Sequence, residues 1–267
     1  MKKDNLGDRV KFFEGASEPR LFPGLPTLAR LDGKAFHNFT RGMNLPYDVK
    51  LSQAMINTTI ALVKETNAKI GYTQSDEISL AWYEPDKRIQ IWFDYRFSKM
   101  VSTLSAYATL VFYREVVKSM PEYADRMPTF DARVWQVPNT SEAANAFLWR
   151  ETDAFKNSQT QAARCYYGDK ELFKKTGSQK QEMLFQKGIN FNNYPSFFKR
   201  GSYVQRRTVI GKLSDKEREN LPPRHNARTD KDFSFERSVI EVIDMPVFST
   251  VTNREGVIFS GEKPKTK

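Results

Sequence analysis

The 267-residue chain has one cysteine, Cys165, and two histidines, His37 and His225. A single thiol excludes an internal disulfide framework and the multi-cysteine zinc sites. Two histidines so far apart leave no histidine-rich metal site and give a Ser-His-Asp arrangement no support. Also missing are a G-x-x-x-x-G-K-[ST] loop and a G-x-G-x-x-G turn, so the common phosphate-binding loops do not apply. Internal repeats and low-complexity tracts are absent. The longest apolar runs, such as Tyr107 to Tyr113, are far too short for a bilayer span. The opening MKKDNLGDR has no apolar stretch after its lysines, unlike a secretory signal. The expected location is a reducing cytoplasm, without membrane contact.

What is present is positive charge and aromatic bulk. Formal net charge is +10, which favours polyanionic partners, nucleic acid first, although a basic surface also serves solubility. Twenty Phe, 11 Tyr and 4 Trp provide for a sizeable core. Residues 199–237 hold 11 Lys or Arg against 6 Asp or Glu and carry Pro222 and Pro223, so they read as a basic irregular segment. With Phe197, Phe198 and Tyr203 at its border, it suits a nucleic-acid backbone with unstacked bases, or is a solvated loop. The closing GEKPKTK reads as a disordered tail.

Periodicity gives a coarse element order. Thr27 to Asp32 alternates as a strand. Asp48 or Ser52 opens a helix with Leu51, Met55, Thr58 and Leu62 on one face. Strands are expected near 69–73, 78–83 and 88–94, the last from alternating Ile89, Ile91 and Phe93. A helix fits 97–118, with Val101, Leu104, Ala108 and Val111 aligned, and 130–137 reads as another strand. Asn139 with Glu142 forms a candidate capping box for a helix reaching Tyr166. The order β-α-β-β-(β)-α-β predicts an α+β fold, the ferredoxin-like split βαβ arrangement that is also the polymerase palm. The expected division is a palm-like catalytic core over 1–137, with a helical and basic region over 138–267 packed on it as one structural unit.

Two acidic segments carry the chemistry. RLDGKAFHNF, 30–39, ends a strand on Asp32; GYTQSDEIS, 71–79, places Asp76 and Glu77 at a hairpin tip. Carboxylates converging from neighbouring strand ends form the hard oxygen site that magnesium needs for work on nucleotide phosphates. Each alone reads as an ordinary turn. Together with Ser75, Lys34 and Lys99 they form a metal-and-phosphate set on one expected sheet edge. Gly33 allows close backbone approach. His37 contacts a nucleotide or packs at a junction, and Phe36 and Phe39 read as core. Arg150, Asp153 and Asn157 share a helix face and line a site or pair at the surface.

RLDGKAFHNFT, GYTQSDEIS, SKMVSTLSA, FDARV and FLWRETDAFKN, in this order, resemble the tRNA(His) guanylyltransferase family and its template-dependent 3′–5′ polymerase relatives over roughly residues 5–207. The resemblance implies a palm-like domain and two magnesium ions held by Asp32, the Gly33 carbonyl and Asp76, with Glu77 as an essential or supporting neighbour. It implies a nucleotide lying along Asp32, Gly33, Lys34, Ala35, Phe36 and His37 and against Ser75 and Asp76, with Lys99 on a triphosphate. It implies ATP and GTP as substrates, tRNA as partner and a homotetramer. One departure stands out. Where eukaryotic members carry His-Ile-Asn-Asn after W-R-x-x-D, this chain has Phe155-Lys156-Asn157-Ser158, keeping Asp153 and Asn157 but not the histidine. That favours templated repair of 5′-truncated tRNA over untemplated G addition to tRNA(His). The other readings are a non-catalytic tRNA-binding protein and another palm enzyme, such as a nucleotide cyclase or a 5′–3′ polymerase.

Overall fold

A computed structural model describes residues 5–228, 230 and 232–267; Thr229 and Lys231, within the basic stretch, lie outside the described residues. After a first helix α1 (Leu6–Ala16) come β1 (Thr27–Gly33), the short turn α2 (Phe36–Phe39), α3 (Val49–Thr66), β2 (Ile70–Gln74), β3 (Glu77–Trp82), α4 (Phe97–Ser119), β4 (Phe130–Gln136) and α5 (Thr140–Arg164). From β1 to β4 the main elements follow β-α-β-β-α-β. Short helices α6 (Asp169–Leu172), α7 (Gly177–Gln186) and α8 (Ser196–Arg200) lead to β5 (Ser202–Lys212), α9 (Asp215–Glu219), β6 (Ser234–Ile243) and α10 (Arg254–Phe259). The strands form one antiparallel sheet in the order β4-β1-β3-β2-β5-β6.

Both faces of the sheet are covered, so the central strands bury residues on alternate sides. Ala29, Leu31, Ile78 and Leu80 face α3 and α4, meeting Met55, Leu62, Leu104 and Phe112. Leu28, Ile70, Tyr72 and Ala81 face the opposite side, against Ala143, Ala144 and Phe147 of α5 and Phe248, Val257 and Ile258 near the C-terminus. A smaller cluster beyond the far half of α5 gathers Ala162, Ala163, Leu184, Phe191 and Phe198. Asp48 caps α3, accepting from the N–H groups of Lys50 and Leu51, and Asn67 closes it in the left-handed region. Gly71 lets β2 lie close on α3: a Cβ there would sit 2.6 Å from Thr59 and 2.8 Å from Val63.

Three expectations need correction. Residues 88–94 form no strand: Asp86 draws in the Arg88 backbone and guanidinium, and Phe93, Asp94 and Tyr95 have positive φ. The alternation there instead packs Ile91 and Phe93 against the first core. The basic irregular segment is largely the β5–β6 hairpin, with Pro222 and Pro223 in the excursion between its strands. β5 also pairs with β2, matching Ser202 to Gln205 with Thr73 to Ile70. Gln205 is fully buried because its Nε2 donates to the Val257 and Glu262 carbonyls. Arg206 donates from Nη2 to Val63 O (2.7 Å) and from Nε to Ala68 O (3.2 Å), serving the carbonyls where α3 ends. Some of the basic surplus is paired, Arg207 with Glu241 at 2.6 Å and Lys212 with Asp232 at 3.0 Å. The closing residues are also tied down: Val251 bridges Thr266, and Asn253 holds the backbone of Lys263 and Lys265. Backbone bonds rather than apolar burial fix that segment, so it left no hydropathic signal. Among the described residues no helix is long and apolar enough to cross a membrane.

Candidate active site

Ser75 and Asp76 form the tip between β2 and β3, with Ser75 at φ +52°. The Gly33 N–H donates to Asp76 O at 3.0 Å, fastening the end of β1 to this tip, while Asp32 pairs with Glu77 across the strands. A Cβ on Gly33 would meet the Phe36 ring at 2.3 Å, so glycine allows the chain to fold sharply over that ring. Asp32 and Asp76 thus share one end of the sheet. Burial pushes the Asp76 carboxyl above the usual range, and the Asp32 charge pushes it the same way. Neither carboxylate has an ion-pair partner among the described residues.

Glu77 stands differently. Arg150 on α5 grips it with both forks, Nε–Oε1 and Nη2–Oε2 each 2.6 Å, and Arg30 lies 4.0 Å away. Burial pushes the Glu77 carboxyl up by more than these contacts bring it down. Burial opposes the Arg150 charge too, but Glu77 outweighs it and holds the guanidinium above its ordinary value. The Glu77 direction is the one a pH experiment reads, because arginine stays charged throughout the accessible range. Arg150 also pairs with Asp153 at 3.3 Å, and Asn157 Nδ2 donates to Asp153 Oδ2 at 3.2 Å. Glu77 is therefore committed to holding α5 over the hairpin, with both oxygens occupied.

Asp32, Asp76, Gln74, Arg150, Asn157 and Arg164 line a cleft of about 310 Å³. It adjoins a hollow of about 330 Å³ walled by Tyr47, Phe197 and Phe198, the two sharing Gln74, Ser75, Gln161 and Arg164. A polar cleft opening into an aromatic-walled hollow matches the two halves of a nucleotide. No local pattern in the sequence marks Tyr47, Gln74 or Arg164, which only the fold brings to the carboxylates. On the other side of β1's end, Lys34, Asn38, Arg41 and Arg126 border a further hollow of about 540 Å³.

The remaining expected residues divide clearly. Ala35 starts α2 at φ +54°, and the first N–H groups after it, at Phe36 and His37, lack intrahelical acceptors. Lys34 and His37 are exposed. Phe36 is core, its ring centroid 5.1 Å from Phe39 and from Phe130. Lys99 does not join the set. Helix α4 begins beside residues 19–22, which bond to Gln136 at the Thr27 end, and its far end approaches Gly42 through Tyr123. Lys99 is exposed near the start of α4 and is not among the residues lining the carboxylate cleft.

The donor chemistry fits magnesium: two carboxylates without cationic partners among the described residues and a strand-end carbonyl are hard oxygen donors. Among the described residues no three His, Cys, Asp or Glu side chains cluster, so the other positions would fall to substrate phosphates and water, as magnesium commonly accepts.

A profile of the tRNAHis guanylyltransferase family matches residues 7–138. An uncharacterized protein of Acanthamoeba polyphaga mimivirus is 30% identical over 228 residues, 76% of this chain and 78% of its own. The tRNA(His) guanylyltransferase of Schizosaccharomyces pombe is 29% identical over 257 residues, 84% of this chain and 93% of its own. Among solved structures, a bacterial tRNA(His) guanylyltransferase-like protein in complex with ATP superposes with a TM-score of 0.70 at 35% identity, covering 75% of this chain and 88% of that one. One in complex with GTP gives 0.69 at 29% identity over 92% and 94%. With the similarity running well past the profile's end, the chain belongs to the tRNA(His) guanylyltransferase family of nucleotidyltransferases.

Proposed function

We propose that this protein is a magnesium-dependent nucleotidyltransferase that adds nucleotides to the 5′ end of tRNA, extending it in the 3′–5′ direction. The observation that carries the reading is the pair Asp32 and Asp76, without cationic partners among the described residues, lining a cleft that adjoins an aromatic-walled hollow. The βαββαβ order supports reading the core as a polymerase-type palm. ATP or GTP activates the 5′ end. The 3′-hydroxyl of an incoming nucleotide then attacks the activated 5′ phosphorus, forming a phosphodiester as the nucleoside monophosphate of the activating nucleotide leaves, AMP from an adenylylated end and GMP from a guanylylated one; on an RNA that already carries a 5′-triphosphate, pyrophosphate leaves instead. Two magnesium ions held by Asp32, the Gly33 carbonyl and Asp76 would neutralise charge on the reacting phosphates.

The chain's own residues do the positioning. Arg150 and Glu77 fix α5, and hence Asn157 and Arg164, over the cleft. Ser75 offers a hydroxyl in the carboxylate cleft, and Lys34, bordering the hollow on the other side of β1's end, presents positive charge to phosphate that reaches there. Position 155 supports the repair reading: the Phe155 ring packs 5.6 Å from Phe191 in an apolar cluster, where the eukaryotic pattern has histidine.

The test incubates protein, magnesium, ATP and all four nucleoside triphosphates with two labelled RNAs. One is tRNA(His) lacking its extra 5′ G, the other a tRNA missing its first 5′ nucleotide. Extension of the truncated tRNA with the base set by the opposing nucleotide is expected, and Asp76→Asn should lower it at least ~100-fold while the protein stays folded. G addition to tRNA(His) alone would overturn the repair reading. Tight tRNA binding without extension of either would overturn the enzymatic one.

A further inference from the structure

Leu28, Arg30 and Asp32 point to the same face of β1, since side chains alternate along a strand. Across the sheet, Arg30 lies opposite Ser79 and Arg133, and Leu28 opposite Trp135. Helix α5 packs on this face at β1 and β3 but leaves edge strand β4 open: the Arg133 side chain is 58% exposed and Trp135 36%. The step leaves a groove of about 260 Å³, walled by Trp135 and Trp149, floored by Leu28 and Ser79, and bordered by Arg30 and Arg150. Trp149 is 58% exposed, with the Arg150 guanidinium 4.5 Å and that of Arg30 6.0 Å from its ring centroid.

Two features of the groove point to a ligand. Folding leaves two indoles partly exposed across a gap, and neither belongs to a buried apolar cluster. Arg30 and Arg133 also sit directly opposite each other, a like-charge arrangement that costs stability in a sheet; Glu77 lies 4.0 Å from Arg30 but Arg150 holds both its oxygens, so an anion between the two arginines would relieve the repulsion further. The exposed contact of Arg133 with Asp131, at 3.9 Å, offsets little of that cost. Indole faces with flanking guanidinium groups bind unpaired bases and their phosphates. The groove is also close to the carboxylates, because Arg30 precedes Asp32 by two residues, about 7 Å along a strand. A tRNA acceptor helix ends with its paired 5′ nucleotide beside an unpaired 3′ strand. An RNA whose 5′ end lies at Asp32 and Asp76 therefore has unpaired nucleotides about one step away.

We propose that the Trp135–Trp149 groove binds the unpaired 3′ nucleotides of the RNA being extended, with a base stacked on Trp135 and a phosphate between Arg30 and Arg133. The proposal rests on the 5′-extension reading above.

Binding is measured by fluorescence anisotropy with tRNA carrying its unpaired 3′ nucleotides and with the same tRNA trimmed of them. Trp135→Ala should weaken binding of the intact RNA roughly 5- to 150-fold, the range of one base–aromatic stack. Trimming should cost the wild type a similar factor and cost Trp135→Ala nothing further, while Trp135→Phe keeps most of the affinity. Arg133→Gln should lower the salt slope by about one on the intact RNA only; it serves if Trp135→Ala fails to fold. Equal losses on intact and trimmed RNA, or none on either, would overturn the groove's assignment, the first outcome meaning that Trp135 meets another part of the RNA. Nucleotide addition by the wild type on the same RNAs separates the two levels. Extension with a groove indifferent to trimming overturns this inference alone; no extension overturns the function and this occupant together.

Discussion

Replacing Arg150 with methionine isolates what the Arg150–Glu77 pair contributes. Arg150→Met keeps an apolar stem of similar length and removes the two 2.6 Å contacts. Glu77 would then stay buried, its side chain 10% exposed, with Arg30 at 4.0 Å as the nearest remaining cation. Breaking a buried pair from one side costs about 3–5 kcal/mol, and Arg30 moves the expectation toward ~3. With a urea m-value of ~2–3 kcal/mol/M, the unfolding midpoint should fall by about 1–1.5 M at neutral pH. The pH dependence has a definite sign. Glu77 is already held above its ordinary 4.5 by burial, and losing Arg150 raises it further. A carboxyl whose folded pKa is raised binds its proton more tightly folded than unfolded. The variant should therefore recover stability as pH falls through that raised folded value and be least stable above it. Glu77→Leu added to Arg150→Met should restore most of the loss at pH 7, because the unpaired charge is gone. A midpoint shift below about 0.3 M, or a deficit that does not shrink on acidification, would refute the assignment of Glu77 as a charge held by Arg150.

Other outcomes follow from single contacts. Gly33→Ala should cost about 1–3 kcal/mol in urea unfolding, because its Cβ meets the Phe36 ring, and should impair nucleotide addition by shifting the Asp32 turn; full activity with unchanged stability would contradict the packing. Tyr203→Phe removes a 3.0 Å donor from buried Glu151, which burial already pushes up, and leaves it, among the described residues, the Phe248 N–H at 2.7 Å and the nearby Arg200 charge. That should cost about 1–3 kcal/mol at pH 7 and less in acid, read by denaturation at both. Helix α1 buries none of its residues, and Phe12 and Phe13 are 70% and 61% exposed. We propose that it packs against a second copy within a homotetramer, so Phe12→Asp with Phe13→Asp should lower the mass found by light scattering; an unchanged mass would place the contact elsewhere.

Much of the site's frame was legible because it is written locally. The Asp48 cap, the apolar stripes of α3 and α4 and the hairpin tip at Ser75 and Asp76 each follow from neighbours in sequence. The failures share a physical cause. Ile89, Ile91 and Phe93 alternate like a strand, yet Ile89 is half exposed and only Ile91 and Phe93 pack, from an irregular turn, against the first core. Gln205 and Arg206 read as surface although one is buried on two carbonyls and the other serves the end of α3. Glu77 read as an essential or supporting neighbour of the metal ligands, and its pairing with Arg150 stayed hidden because the two lie 73 residues apart.

The Arg206 contacts bear on where this chain can be cut. The family profile ends at residue 138, which invites treating the preceding part as a portable catalytic unit. A fragment stopping there would leave the β2 edge bare and the Val63 and Ala68 carbonyls without their guanidinium, while Tyr72 would lose the ring of Tyr203, 4.7 Å between centroids. We propose that the N-terminal part folds only in the presence of the C-terminal strands. A backbone nick in the excursion between β5 and β6 should then leave two pieces that stay together and co-purify, whereas truncation at 138 should yield insoluble chain. Separately expressed halves mixed during refolding should complement each other through a sheet they complete jointly.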